Sequence, residues 1–205
     1  MGFYSAVLFP WGMNLMMSGE EFKKQRRAVL QSATGKILEI GFGSGLNLPH
    51  YPDTVESIVA IDPNPGMNRY TAKQINKSKI KVDREILSSE SLPMASDSFD
   101  SVVSTWTLCS IDNIQLALSE IKRVLKPGGH FIFLEHGLSP EESVCRWQNR
   151  LNGIQKIIGD GCHLNRDIKK LIREAGFIQL EVENYYFPRA PRIMGYMYRG
   201  LATKQ

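Results

Sequence analysis

Four short apolar runs set apart by helical spacing constrain this 205-residue chain more than any other feature. Lys36-Ile-Leu-Glu-Ile-Gly41 is halted by glycine, Ser57-Ile-Val-Ala-Ile-Asp62 by an acid, and Asp100-Ser-Val-Val-Ser-Thr105 follows. The fourth, His130-Phe-Ile-Phe-Leu-Glu135, is launched from the turn Lys126-Pro-Gly-Gly129. Strands apolar on both faces belong to parallel sheets covered by helices. Between the last two runs, Ile114, Leu118, Ile121 and Leu125 recur in steps of 4, 3 and 4, the stripe of an amphipathic helix. Asn165 is expected to cap a helix over 166–175, which Gly176 closes. Phe177–Tyr186 and Ile193–Thr203 read as strands joined through Pro188 and Pro191, a link too short for a crossover helix, so this pair is antiparallel. No repeat or linker interrupts the chain, which is read as one α/β domain over 1–205.

Composition narrows the class. Apolar residues make up 42% and charged residues 22%, which excludes a disordered chain, a collagen-like repeat and a coiled-coil rod. No apolar run reaches the ~18 residues of a spanning helix. The most apolar stretch, Phe3 to Met17, is broken by Pro10, Gly12 and Asn14. It lacks a basic leader and a cleavage site, so no signal peptide is expected. Ala6 stands where a myristoylation motif needs Ser or Thr. A net charge of +4 gives no nucleic-acid footprint. The one dense basic cluster, Lys23-Lys24 with Arg26-Arg27, reads as the solvated face of a surface helix, with an anionic surface partner as the alternative. Cys109, Cys145 and Cys162 are odd in number and lack CxxC spacing, so neither disulfides nor a structural metal are expected. A reducing, cytoplasmic home fits.

The chemistry is concentrated at Glu39-Ile-Gly41-Phe42-Gly43-Ser44-Gly45. Glycines alternate after a strand, and a helix is expected to begin beyond them. A side chain there would keep the backbone from approaching a ligand at the strand's carboxyl end. Asp62, before Pro63, closes the next strand 17 residues after Gly45, where a carboxylate can accept both ribose hydroxyls of a nucleoside. A plain turn is the alternative for both features. The dinucleotide pattern GxGxxG needs glycine where Leu46 stands, and no GxxxxGK[ST] phosphate loop occurs.

These residues resemble the class I S-adenosylmethionine-dependent methyltransferases. Glu39-x-Gly41-x-Gly43-x-Gly45 is similar to their first motif and Asp62 to their ribose-binding acid. Glu90-Ser-Leu-Pro-Met94 with Asp97-Ser-Phe-Asp100 resembles their adenine-side loop and fourth strand, and Leu125-Lys-Pro-Gly-Gly129 their turn before the fifth. Thr107-Leu-Cys109-Ser110, Glu135-His136-Gly137 and Gly161-Cys162-His-Leu-Asn165-Arg166 resemble the subgroup with thiol S-methyltransferases, near the quinone and phospholipid methyltransferases. Ser88-Ser89 replaces the Asp that many relatives place before the adenine-loop Glu. The membrane anchor of the eukaryotic thiol enzymes is not matched.

The resemblance implies a Rossmann-like, doubly wound, seven-stranded, mostly parallel sheet with the antiparallel C-terminal hairpin. Segment 1–35 becomes a helical lid, 36–136 the cofactor core, and 137–205 the acceptor-side helices and hairpin. S-adenosylmethionine would be held by Glu39, Gly41, Phe42, Gly43, Gly45, Asp62, Pro63, Ser89, Glu90, Ser91 and Thr105, and would leave as S-adenosylhomocysteine. Thr105-Trp106-Thr107-Leu108 stands where methylators of base or glutamine amines carry Asn or Asp followed by Pro-Pro-Tyr. That favours a small, partly hydrophobic acceptor of thiol, quinol or phospholipid type, facing Tyr4, Trp106, Cys109 and Trp147. Tyr185 and Tyr186 are further lining candidates.

Transfer needs mainly in-line alignment of acceptor and methyl. His136 is the first candidate base, with a loop-holding hydrogen bond as the alternative. His163 and Asp160 rank below it, and Cys162, His163 and Asp160 do not complete a metal set. The stretch Phe3–Met17 reads as a lid that excludes water or as a transient membrane-surface element. A non-catalytic cofactor-binding subunit that docks a partner is the competing function. The methylated atom and the oligomeric state stay open.

Overall fold

A computed structural model describes residues 2–205. Its strands are β1 (Gly35–Ile40), β2 (Val55–Ile61), β3 (Lys81–Glu85), β4 (Phe99–Thr105), β5 (Leu125–His136), β6 (Ile178–Tyr186) and β7 (Tyr196–Thr203). They form one sheet in the order β3-β2-β1-β4-β5-β7-β6. The first five pair in parallel, whereas β7 runs antiparallel to both β5 and β6. The expected doubly wound sheet with an antiparallel C-terminal pair is therefore present.

The pleat explains the two cores. Leu38, Ile40, Val102, Phe131 and Phe133 face one side, where α4 (Ile114–Val124) and α6 (Ile168–Glu174) cover them. Ile37, Val103, Ile132 and Leu134 face the other, packed with Val29 and Leu30 of α2 (Glu20–Leu30). Successive strand residues point to opposite faces, so a run apolar at every position serves two layers. In α4 the expected stripe is buried through Ile114, Leu118 and Ile121, while Leu125 opens β5. α1 (Phe9–Met17) follows a π-helical turn over Tyr4–Leu8. The remaining helices are α3 (Asn68–Ile75), α5 (Glu142–Ile158) and α7 (Arg192–Gly195).

Local expectations needed correction at several points. No α-helix follows the glycine loop; a 3-10 turn, Leu48–His50, stands there. Pro52 explains the stop, because proline excludes helical backbone at the preceding residue, and Tyr51 is extended at ψ 138°. The cap of α6 is Asp167, which accepts from the Lys170 amide, and not Asn165. β5 begins five residues before His130, with 126–129 looped out of register. The basic cluster does not form one solvated face: Arg26 is 3% exposed, whereas Lys24 and Arg27 face water.

Candidate active site

The strand order reverses between β1 and β4, and a ligand crevice in an open sheet of this kind lies at the carboxyl ends beside that reversal. A cavity of about 1320 Å³ opens there. A usual small-molecule pocket holds ~300–1,000 Å³, so this one has room for two reactants. Gly41, Phe42, Gly43, Asp62, Pro63, Ser89, Glu90 and Thr105 line it, as do Trp106, Cys109 and His136. Glu39, Gly45 and Ser91 lie off the lining, as do Tyr4 and Trp147.

The three glycines have different duties. At Gly41, φ is +64° and an added Cβ would lie 2.0 Å from Thr107 Oγ1, so packing forbids a side chain. At Gly45, φ is +77° and a Cβ would press on Gln74 and the Phe42 ring at 3.2 Å. Gly43, at φ +56°, would meet nothing nearer than a carbonyl oxygen at 3.8 Å. Of the three, Gly43 alone turns bare backbone toward open space. Its N–H donates to Asp62 Oδ2 at 2.8 Å, and the Asn64 N–H donates to Oδ1 at 2.8 Å. Burial raises the Asp62 carboxyl, opposed by those two amides. An ionised carboxylate has about four acceptor positions, so each oxygen keeps capacity for a ribose hydroxyl. No α-helix N-terminus stands behind the loop, so it lacks the dipole that phosphate sites use. The cradle therefore fits S-adenosylmethionine, a nucleoside without phosphates.

Glu39 supports this cradle from behind. It accepts from Asn47 Nδ2 at 2.8 Å and from the Tyr51 hydroxyl at 2.6 Å. Burial pushes its carboxyl up to about 7 despite both bonds. Asn47 also donates to Thr105 Oγ1 at 3.0 Å, linking the ends of β1 and β4. On the adenine side, Glu90 Oε1 accepts from the Asn113 N–H, which ties that loop to the start of α4.

The opposite end of the cavity is built by the segment after β4. Trp106 holds φ +53°, a left-handed conformation unusual for a bulky residue. Its N–H donates to the Leu134 carbonyl at 2.8 Å. Glu135 is fully buried and accepts from Ser104 Oγ at 2.7 Å and from the Thr107 N–H at 2.9 Å. Arg166 donates to the carbonyls of Leu108 and Ile111. Together these bonds fix the turn that carries Cys109. The Arg26 guanidinium lies 5.0 Å from the Trp106 ring centroid, and burial lowers it to about 10.

At this end, ligand atoms of Cys109, His136 and Cys162 all lie within 4.8 Å of one another. His136 Nε2 is 3.0 Å from Cys162 Sγ, while His136 Nδ1 is buried with no hydrogen-bond partner. Burial pulls the imidazole down, but Cys162 and the Glu135 carboxylate outweigh it and hold His136 above its ordinary value. The hydrogen bond with Cys109, then burial, push the Cys162 thiol up. His163 is taken up by the Cys109 carbonyl, 3.0 Å from its Nδ1. Asp160 lines the cavity. Among the described residues, metal-binding atoms meet at Cys109, His136 and Cys162, not at Cys162, His163 and Asp160.

Trp147 is 54% exposed on α5. Tyr4 donates to the Ile158 carbonyl at 2.5 Å, joining the N-terminal segment to the end of α5. Tyr185 and Tyr186 bond Gln25 and Ser139. Met13, Met16 and Met17, in the stretch expected to be a lid, line the cavity, whereas sequence reasoning missed Met67, Met194 and Met197. Methionine signals nothing by spacing, being equally at home in any core gap.

The comparisons agree with this geometry. The methyltransferase domain family matches residues 38–133. Thiol S-methyltransferase TMT1B of Homo sapiens is 32% identical over 201 residues, covering 93% of this chain and 82% of the relative. Demethylmenaquinone methyltransferase of Symbiobacterium thermophilum is 30% identical over 132 residues, 60% of this chain and 53% of the relative. Among solved structures, Haemonchus contortus phosphoethanolamine N-methyltransferase 2 in complex with S-adenosyl-L-methionine superposes with a TM-score of 0.70 at 16% identity. That match covers 95% of this chain and 56% of the other. The glycine cradle, the acid after β2 and these relatives converge: the chain belongs to the S-adenosylmethionine-dependent methyltransferases and is an enzyme of methyl transfer.

Proposed function

We propose that this enzyme methylates small, partly hydrophobic thiols. The observation that carries the reading is the make-up of the cavity lining, which combines methionines and Trp106 with two thiols and one imidazole. Such a wall desolvates an apolar acceptor while offering a soft, polarisable setting for its sulfur. The relative that matches across most of the chain is a thiol S-methyltransferase, which supports the same acceptor class.

When bound, S-adenosylmethionine supplies an electrophilic methyl on a sulfonium. Gly43 and Asp62 hold the nucleoside, Ser89 and Glu90 border its base, and Thr105 stands at the border with the acceptor space. A thiol attacks as its thiolate, and His136, paired with Cys162 on the cavity lining, belongs to the surroundings that favour that form. α1 serves as the lid: its Phe9, Met13 and Met17 line one side of the cavity, an apolar cover that would keep water from the reacting atoms.

Methyl-labelled S-adenosylmethionine offered with linear alkyl thiols, a quinol and phosphatidylethanolamine in parallel tests this. Label should appear in thioethers, with kcat/KM rising about fourfold per added methylene, the worth of ~0.8 kcal/mol of burial. Label confined to quinol or lipid refutes the thiol reading.

We further propose a cytoplasmic enzyme that makes transient contact with a lipid surface. No described helix is long and apolar enough to cross a membrane. Phe3, with Trp11 and Leu15 of α1, nonetheless exposes apolar surface, at 70%, 58% and 64% respectively. Trp11→Asp with Leu15→Asp should abolish sedimentation with phospholipid vesicles; unchanged sedimentation refutes contact through this face.

A further inference from the structure

The triad Cys109, His136 and Cys162 lies on three separate segments, after β4, at the end of β5 and after α5. We propose that it binds one zinc ion, whose fourth position takes the acceptor thiol as its thiolate. The inference rests on the thiol reading above and specifies how the thiol is activated.

Two sulfurs and one imidazole nitrogen, with no carboxylate, select a borderline-soft cation over magnesium or calcium. Tetrahedral zinc separates ligand sulfurs by about 3.8 Å and nitrogen from sulfur by about 3.6 Å. The ligand atoms here lie within 4.8 Å, and the nitrogen–sulfur pair at 3.0 Å, so shifts of about an ångström complete the geometry. Three protein ligands with one open position mark catalytic rather than structural zinc. The open side is available, because all three residues line the cavity beside Trp106. His136 itself points to a ligand. Its ring is nine-tenths buried on the cavity lining, with Nε2 against Cys162 Sγ and Nδ1 unpartnered, so it holds a ring nitrogen with unused bonding capacity at this spot. Arg166, gripping the carbonyls on either side of Cys109, holds that ligand's turn in place.

The step balances without an oxidant. The acceptor S–H releases its proton to water as the sulfur–zinc bond forms. A lone pair of that sulfur then forms the new bond to the methyl carbon. The carbon–sulfonium bond breaks, its electron pair stays on the departing sulfur, and the neutral thioether, a weak zinc ligand, leaves.

The full chain, stripped with chelator and dialysed against zinc or cobalt(II), tests the proposal. One metal per chain should bind, with thiolate-to-cobalt charge-transfer bands, and an alkyl thiol should shift the cobalt spectrum. Cys109→Ala, Cys162→Ala and His136→Ala should each weaken metal binding by about 100-fold or more, beyond the loss typical of outer-shell changes. Cys145→Ala should bind as the parent does, and retained S-adenosylhomocysteine binding shows that each variant is folded. Metal-free enzyme should bind S-adenosylmethionine normally yet lose thiol methylation. The proposal falls if no stoichiometric metal binds, if the folded Cys109→Ala/Cys162→Ala variant binds it unchanged, or if metal-free enzyme methylates thiols at the full rate. Metal bound through these residues while label reaches only a quinol or lipid refutes the thiolate role and leaves the metal site standing.

Discussion

Glu39 offers the sharpest quantitative test. Its carboxyl is buried at the end of β1 and raised from 4.5 to about 7, chiefly by burial. A raised folded-state value means that the native protein binds the proton more tightly than the unfolded chain does. The stabilisation is complete below pH 4.5 and is lost as pH rises through 7. The whole span is worth about 3 kcal/mol, of which about 2.5 kcal/mol falls between roughly pH 5 and pH 8. Glu39→Gln keeps the shape, can accept from Asn47 through its amide oxygen and donate to the Tyr51 hydroxyl through its amide nitrogen, and cannot titrate. Urea unfolding of both proteins across that window isolates the term, because every other ionisable group is shared. Wild type should lose about 2.5 kcal/mol more than the variant on going from acid to base. Parallel stability–pH curves would refute the assignment, as would a parent protein that gains on the variant with rising pH.

The cradle yields two further tests. Gly41→Ala should prevent or severely impair folding, because its Cβ would collide with Thr107 in a left-handed conformation. Gly43→Ala carries only the ~1–2 kcal/mol conformational cost and should fold, but bind S-adenosylhomocysteine more weakly; the reverse ranking in thermal melts would refute the division of duties. Asp62→Ala should weaken the same ligand by ~1.5–3 kcal/mol, about tenfold to a hundredfold, and an unchanged titration calorimetry affinity would remove Asp62 from the site.

What the sequence disclosed follows from where the information lies. β1, β2, β4 and β5 are buried on both faces, so their apolar runs were legible. β3 is an edge strand that pairs only with β2, and its Lys-Val-Asp-Arg-Glu offers one apolar residue, too little for a periodic signal. The glycine loop was legible as a ligand cradle. Its division into two packing glycines and one facing the cavity depends on Thr107, Gln74 and Phe42, which the fold brings in from elsewhere. Arg26 looked like one more surface cation because burial of a guanidinium is decided by Trp106, eighty residues away in the chain. The three segments bearing Cys109, His136 and Cys162 stood out singly, but their meeting was invisible for the same reason: they share no spacing and come together only when two loops fold against the end of β5.

The position of β7 bears on how the chain is made. The last strand in sequence is inserted between β5 and β6, so β6 has no sheet partner until residues 196–203 have been synthesised. The parallel half, which carries the glycine loop and Asp62, also leans on β7, which pairs along the outer edge of β5 and sends Met197, Tyr198 and Ala202 into the two cores. During vectorial synthesis β5 therefore stays an open edge, and the cavity wall bearing Met194 and Met197 stays incomplete, until β7 emerges. The segment made last is thus the one that joins the parallel strands to β6, so the sheet and the acceptor wall are completed by the same eight residues.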